Sequence, residues 1–195
     1  MTHHSGTRMP AQPTRTERFM RHALDAHGSA VYVVALAQTR SVHDAQDVAQ
    51  DVFLRLLTTD TPFTSDDHLR AWLLRVTVNR CREFHRLVWN RRVDSADDQL
   101  LELPGNLPNP EDAAVAALTK SPVWQALRQL PEKLRVVALL YYVEDYSTAE
   151  IARVVGCSPA TVRTRLHRAR KHLRDILDTE TEETHESLEP LPAKQ

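Results

Sequence analysis

Glycine is scarce in this chain, four among 195 residues, and cysteine scarcer still, with two. So few glycines, with helix-forming residues throughout, point to an all-α chain, which eleven prolines cut into segments. Cys81 and Cys157 have no CxxC or Cys/His ligand spacing, which argues against a disulfide framework and a zinc site and fits a reducing cytoplasm. Long hydrophobic runs are missing as well. The longest nearly apolar stretches, such as Ala30–Ala37, fall far short of the roughly 20 residues that cross a bilayer, so no membrane span is expected. Residues 1–15 lack the apolar centre of a secretory signal and read as a disordered lead-in. Net charge is nearly absent too, with 25 Lys and Arg against 26 Asp and Glu and a pI near 6.8.

That balance holds in the total and fails locally. SPATVRTRLHRARKHL, Ser158 to Leu173, carries five Arg or Lys and no acid. Residues 93–118 carry six acids, three prolines and no Lys or Arg, and bury too little apolar surface to fold alone, so they read as a flexible acidic linker. From Asp175 onward seven acids face Lys194, and residues 178–195 read as a disordered acidic tail.

Two helical blocks flank the linker, residues 16–92 and 119–177. In the first, a helix from Arg18 to Gln38 would bury Phe19, Leu24, Val31, Val34 and Ala35, with Gly28 as a weak point. Ser41 caps the next, where Ala45, Val48, Ala49, Val52, Phe53 and Leu56 share one face. Ser65 caps a long helix from Asp66 to Leu87, its stripe formed by Leu69, Trp72, Leu73, Val76 and Leu87. The second block has Ser-Pro starts at Ser121 and Ser158, a helix from Pro131 to Val143, and an S-x-x-E capping box at Ser147 and Glu150. The helix Ser147–Val155, a turn at Gly156 and the helix from Pro159 have the lengths of a helix-turn-helix.

Faces then suggest chemistry. On the last helix Val162, Leu166, Ala169 and Leu173 form an inward seam, opposite Arg163, Thr164, His167, Arg168 and Lys171. Arginines on the outward side of such a helix suit guanine edges, and their neighbours suit phosphates. A solvated charged face is the plain alternative, but such faces usually alternate in sign and this one does not. The long helix repeats the theme: Arg75, Asn79, Arg82 and Arg86 share a stripe, a second nucleic-acid surface. The second helix presents Asp47, Gln50, Asp51 and the apolar Leu54 outward, a docking site for a basic protein surface. Asp44, Asp47 and Asp51 also have the spacing of carboxylate ligands, yet no acid-rich helix is available to face them, so neither a metal nor another cofactor is expected.

These segments, in this order, resemble the group IV sigma factors of bacterial RNA polymerase, the extracytoplasmic-function class. DAQDVAQDVFLRL resembles the family's region 2.2, LRAWLLRVTVNRCREFHR its regions 2.3 and 2.4, and the stretch from LRQLPEKLRVV to RARKHLR its region 4. The resemblance implies two small helical domains, a region 2 bundle and a region 4 helix-turn-helix. It also implies a non-enzymatic cytoplasmic factor that binds core polymerase at the clamp helices and flap. Asp47, Gln50, Asp51 and Leu54 would meet the clamp helices. Phe63, Arg75, Asn79, Arg82 and Arg86 would take the unpaired nontemplate strand of the minus-ten element, with a base flipped out by the Thr59–Asp67 loop. Thr161, Arg163, Thr164, His167, Arg168 and Lys171 would read the duplex minus-thirty-five element. An anti-sigma factor wedged between the blocks is the implied regulator. The linker acids would suit a nucleic-acid mimic inside the polymerase channels, and a plain tether has the same composition. Competing readings are a stand-alone helix-turn-helix regulator, which would bind duplex DNA without polymerase, and a metal-dependent enzyme built on the Asp cluster.

Overall fold

The computed structural model describes residues 15–92, 117 and 119–186, with side chains to 86 in the first stretch and to 178 in the last. The linker acids, the lead-in before Arg15 and the end of the tail lie outside the described residues. All regular structure among the described residues is helical.

Helix α1, Glu17–Thr39, starts where the Thr16 hydroxyl accepts the Phe19 N–H at 3.3 Å. It ends where Arg40 turns left-handed at φ 61°. Gly28 does not break it. A glycine costs a helix about 1 kcal/mol relative to alanine, less than the burial of Ala23, Val31 and Val34 on either side returns. Helix α2, Val42–Thr58, is capped by Ser41, whose hydroxyl accepts the Asp44 N–H at 3.3 Å, and buries Ala45, Val48, Val52 and Leu56. Helix α3, Asp66–Arg92, is capped by Ser65 through the His68 N–H at 3.1 Å and runs past the expected Leu87. Leu69, Trp72, Leu73 and Leu74 close this three-helix core.

Helix α4, Pro122–Gln129, has Ser121 as cap and proline in the first turn, and stops at Leu130 because Pro131 follows. Pro131 itself is the cap of α5, Glu132–Tyr142, rather than its first residue. Helix α6, Thr148–Val155, has the complete capping box, and Gly156 ends it at φ 68°, a conformation costly for any side chain with a Cβ. The Ser158 hydroxyl accepts the Thr161 N–H at 3.1 Å and opens α7, Pro159–Glu186. Trp124, Leu127, Leu139, Leu140, Ile151, Val162 and Leu166 form the core of this group. Trp72 and Trp124 are both core residues, as their helical spacing suggests.

Several expectations shift. Leu24, assigned inward from its spacing, is 47% exposed, because α2 and α3 cover the neighbouring face of α1. Arg15 is not part of a free lead-in: its N–H meets the Leu57 carbonyl at 3.3 Å and its guanidinium the Thr61 carbonyl. Helix α7 continues past Leu177 to Glu186, where no glycine or proline intervenes before Pro190 to end it. The two helical groups also touch: α3 lies against α6 and α1 against α5, within one continuous apolar cluster.

Candidate promoter and polymerase interfaces

The second helix of the helix-turn-helix is set by its seam. Val162, Leu166 and Ala169 are buried and Leu173 packs partly against the core, which leaves Arg163, Thr164, His167, Arg168 and Lys171 exposed. Thr161 is half-buried, its hydroxyl 2.9 Å from Ser158 Oγ, so it belongs to the cap more than to the ridge. Thr164 turns its hydroxyl back to the Ala160 carbonyl at 3.1 Å. No ion pair among the described residues engages Arg163, Arg168 or Lys171, so their charge faces solvent undiminished. Farther along, Arg170 Nε donates to the Tyr142 hydroxyl at 2.7 Å, which raises the pKa of the guanidinium and braces α7 on α5.

On α3, Arg75, Asn79, Arg82 and Arg86 are all exposed, as their stripe predicts. Arg82 is nevertheless engaged: it donates to Asn79 Oδ1 at 3.3 Å and to the Val155 carbonyl at 2.8 Å, at the end of α6. Arg70 reaches the same neighbouring group, pairing with the buried Glu144. Phe63 is not free for stacking. It lies parallel to Phe19 with ring centres 6.0 Å apart, edge-on to Trp72 at 5.6 Å, and beneath Arg15 at 5.0 Å.

The surface of α2 divides. Asp47, Gln50 and Leu54 are exposed, Leu54 by 55%, and Gln50 and Leu54 border an apolar groove with Met20 and Leu24 of α1 and Phe53 of α2. Asp51 departs from the expected outward placement. It is half-buried and turned to α3, where its carboxylate lies 3.0 Å from Arg55 Nε and 2.8 Å from Arg80 Nε. Glu83 completes the chain of charges, 2.9 Å from Arg80 Nη1. Its hydrogen bond is the main reason the Arg80 pKa is raised, and with Asp51 it holds Arg80 between α2 and α3. Nothing in the local pattern singles out Arg70, whose partner lies in the other block. Leu24 was visible only as an apolar residue, because helical periodicity does not say which side a neighbour covers.

Fold and surfaces together define an all-helical protein with a helix-turn-helix beside a second cationic helix. Residues 23–91 match the family model described as Sigma-70 region 2, and residues 121–173 that described as Sigma-70, region 4. The chain is 33% identical over 152 residues to the RNA polymerase sigma-H factor of Pseudomonas aeruginosa, covering 71% of this chain and 77% of that one. It is 30% identical over 161 residues to the ECF RNA polymerase sigma factor SigE of Mycolicibacterium smegmatis, covering 83% of this chain but 62% of SigE, less than two thirds of its length. Among solved structures, CnrH in complex with the cytosolic domain of CnrY is similar at a TM-score of 0.57 and 27% identity, covering 84% of this chain and 90% of that one. The sigma factor RpoE in complex with the anti-sigma factor NepR from Bartonella quintana superposes at a TM-score of 0.67 and shares the fold at 21% identity, covering 84% of this chain and 98% of that one. The chain belongs to the sigma-70 family of RNA polymerase sigma factors, in the extracytoplasmic-function group. No helix among the described residues is long and apolar enough to cross a membrane.

Proposed function

We propose that this chain is an alternative sigma factor that binds core RNA polymerase, directs it to a set of promoters in the cytoplasm and assists their melting. The observation that carries the division of labour is the exposed ridge of α7, free of ion pairs among the described residues, on a seam fixed by Val162, Leu166 and Ala169. Arg163 and Arg168 read base edges of the minus-thirty-five duplex from there, while Lys171 holds phosphate. Arg75, Asn79, Arg82 and Arg86 follow the unpaired nontemplate strand of the minus-ten element, residues 16–92 acting as one unit and 119–177 as the other. Polymerase docks its clamp helices on the groove of α1 and α2 around Leu54 and Leu24, with the exposed Asp47 of the same helix attracting basic residues. An anti-sigma factor is the regulatory partner in this reading, in line with RpoE, a protein of the same fold solved with the anti-sigma factor NepR.

In vitro transcription with core polymerase on a genomic DNA library tests this reading. Start sites that share two upstream elements at fixed spacing support it. A chain that ignores core polymerase and binds duplex DNA tightly alone is a stand-alone regulator instead.

A further inference from the structure

Two histidines of α1 and the first residue of α3 converge at the end of the Thr59–Asp67 loop, away from the α2 groove and the α7 ridge. His22 Nε2 lies 2.7 Å and His27 Nε2 3.1 Å from the same oxygen, Asp66 Oδ1. All three donor atoms fall within 4.8 Å of one another, and the two imidazoles stand edge to face with ring centres 6.2 Å apart. The His27 side chain is 5% exposed, so its ring is fixed by the core, whereas those of His22 and Asp66 are 57% and 54% exposed and open the cluster to solvent. We propose that His22, His27 and Asp66 form a binding site for a divalent transition-metal ion of the zinc type, which ties α1 to the start of α3.

A zinc ion takes imidazole nitrogen and carboxylate oxygen at about 2.0–2.2 Å, which sets donors in a tetrahedral shell roughly 3–3.5 Å apart. The His27 to Asp66 separation already meets that spacing, and His22 reaches it by a small rotation of an exposed ring. Two nitrogens and one oxygen suit zinc, cobalt or nickel and disfavour magnesium and calcium, which prefer oxygen shells. The solvent-facing side supplies an entry path and a fourth position for water. The sequence concealed this set because His22 and His27 are five apart, not at the i, i+4 spacing of a helical metal motif, and Asp66 lies 44 residues from His22. The site rests on geometry alone and stands whether or not the chain docks on polymerase as proposed above.

The test is zinc titration of the metal-stripped full chain, by competition with a chromophoric chelator, in a background with His3→Ala and His4→Ala to remove terminal histidines. One equivalent of zinc is expected to bind and to raise the melting temperature. His22→Ala and Asp66→Asn, both at exposed positions that leave the core intact, are expected to weaken binding at least about tenfold. His43→Ala on α2 is expected to change nothing. Cobalt in place of zinc is expected to give ligand-field bands without a sulfur charge-transfer band, which would otherwise indicate Cys157. Zinc affinity equal in the parent and His22→Ala chains, a thiolate band, or equal binding of magnesium overturns the proposal.

Discussion

Arg70 and Glu144, 74 residues apart in sequence, meet with Nη2 2.6 Å from Oε2. The same guanidinium lies 5.0 Å from the centre of the Tyr146 ring and donates to the Glu144 carbonyl at 3.3 Å. With the Arg82 to Val155 hydrogen bond, this pair fastens α3 to the loop before α6 and to the end of α6. The face of α3 held there carries the stripe assigned to the nontemplate strand, so this closed arrangement and a strand along α3 compete for Arg82. The Glu144 side chain is 7% exposed. Arg70→Ala therefore leaves a buried carboxylate without its partner, which costs the closed arrangement about 1–3 kcal/mol. Small-angle scattering of the free chain is expected to show a larger radius of gyration for Arg70→Ala than for the parent. An unchanged radius would mean that apolar contact between α1 and α5 holds the groups together without the pair.

The α7 ridge separates base reading from phosphate contact. Arg163→Ala or Arg168→Ala is expected to cost about 1–3 kcal/mol against the preferred promoter and to relax the preference at one base pair. Lys171→Ala is expected to weaken all sequences alike and to flatten the salt dependence. Binding of the holoenzyme to promoter variants at two salt concentrations distinguishes these outcomes. Equal losses on every sequence for Arg163→Ala would reduce its role to phosphate contact.

Leu54 and Asp51 lie three residues apart on α2 and have different work. Leu54 is 55% exposed, so Leu54→Asp is expected to change stability by less than about 0.5 kcal/mol while sharply lowering capture of core polymerase. Asp51 sits between Arg55 and Arg80, and Asp51→Ala leaves Arg80 half-buried with Glu83 as its remaining acid. That variant is expected to lower the melting temperature. Thermal melts and polymerase pull-down on both variants check the split; a stable Asp51→Ala chain that fails in pull-down would return Asp51 to the docking surface.

What the sequence made legible is local. The seam of Val162, Leu166 and Ala169, the caps at Ser41, Ser121 and Ser147, and the left-handed Gly156 follow from spacings of three or four residues, which one helix decides by itself. The surroundings of Leu24, Asp51 and Phe63 do not follow from the local pattern, because burial depends on which neighbour arrives. Arg70 with Glu144, and His22 with Asp66, depend on pairings across the chain that no periodicity records.

The capping box of α6 links the helix-turn-helix to pH. Glu150 Oε2 accepts the Ser147 hydroxyl at 2.6 Å and the Ser147 N–H at 2.9 Å, while Ser147 Oγ accepts the Glu150 N–H at 3.3 Å. The hydroxyl first, and the backbone N–H second, hold the Glu150 carboxyl below its ordinary pKa. A carboxyl depressed in the folded state contributes stability that is fully present above the unfolded value, about pH 4.3, and lost as pH falls through the lower folded value. Ser147→Ala removes the cap itself and is expected to cost about 1 kcal/mol at neutral pH. Glu150→Gln keeps the shape but not the charge, so its melting temperature is expected to lie below the parent's at pH 7 and to approach it as pH falls below about 4. Melts of the two chains from pH 7 to pH 3 decide the matter: a gap that stays constant across that range would show that the charge of Glu150 adds nothing to the cap.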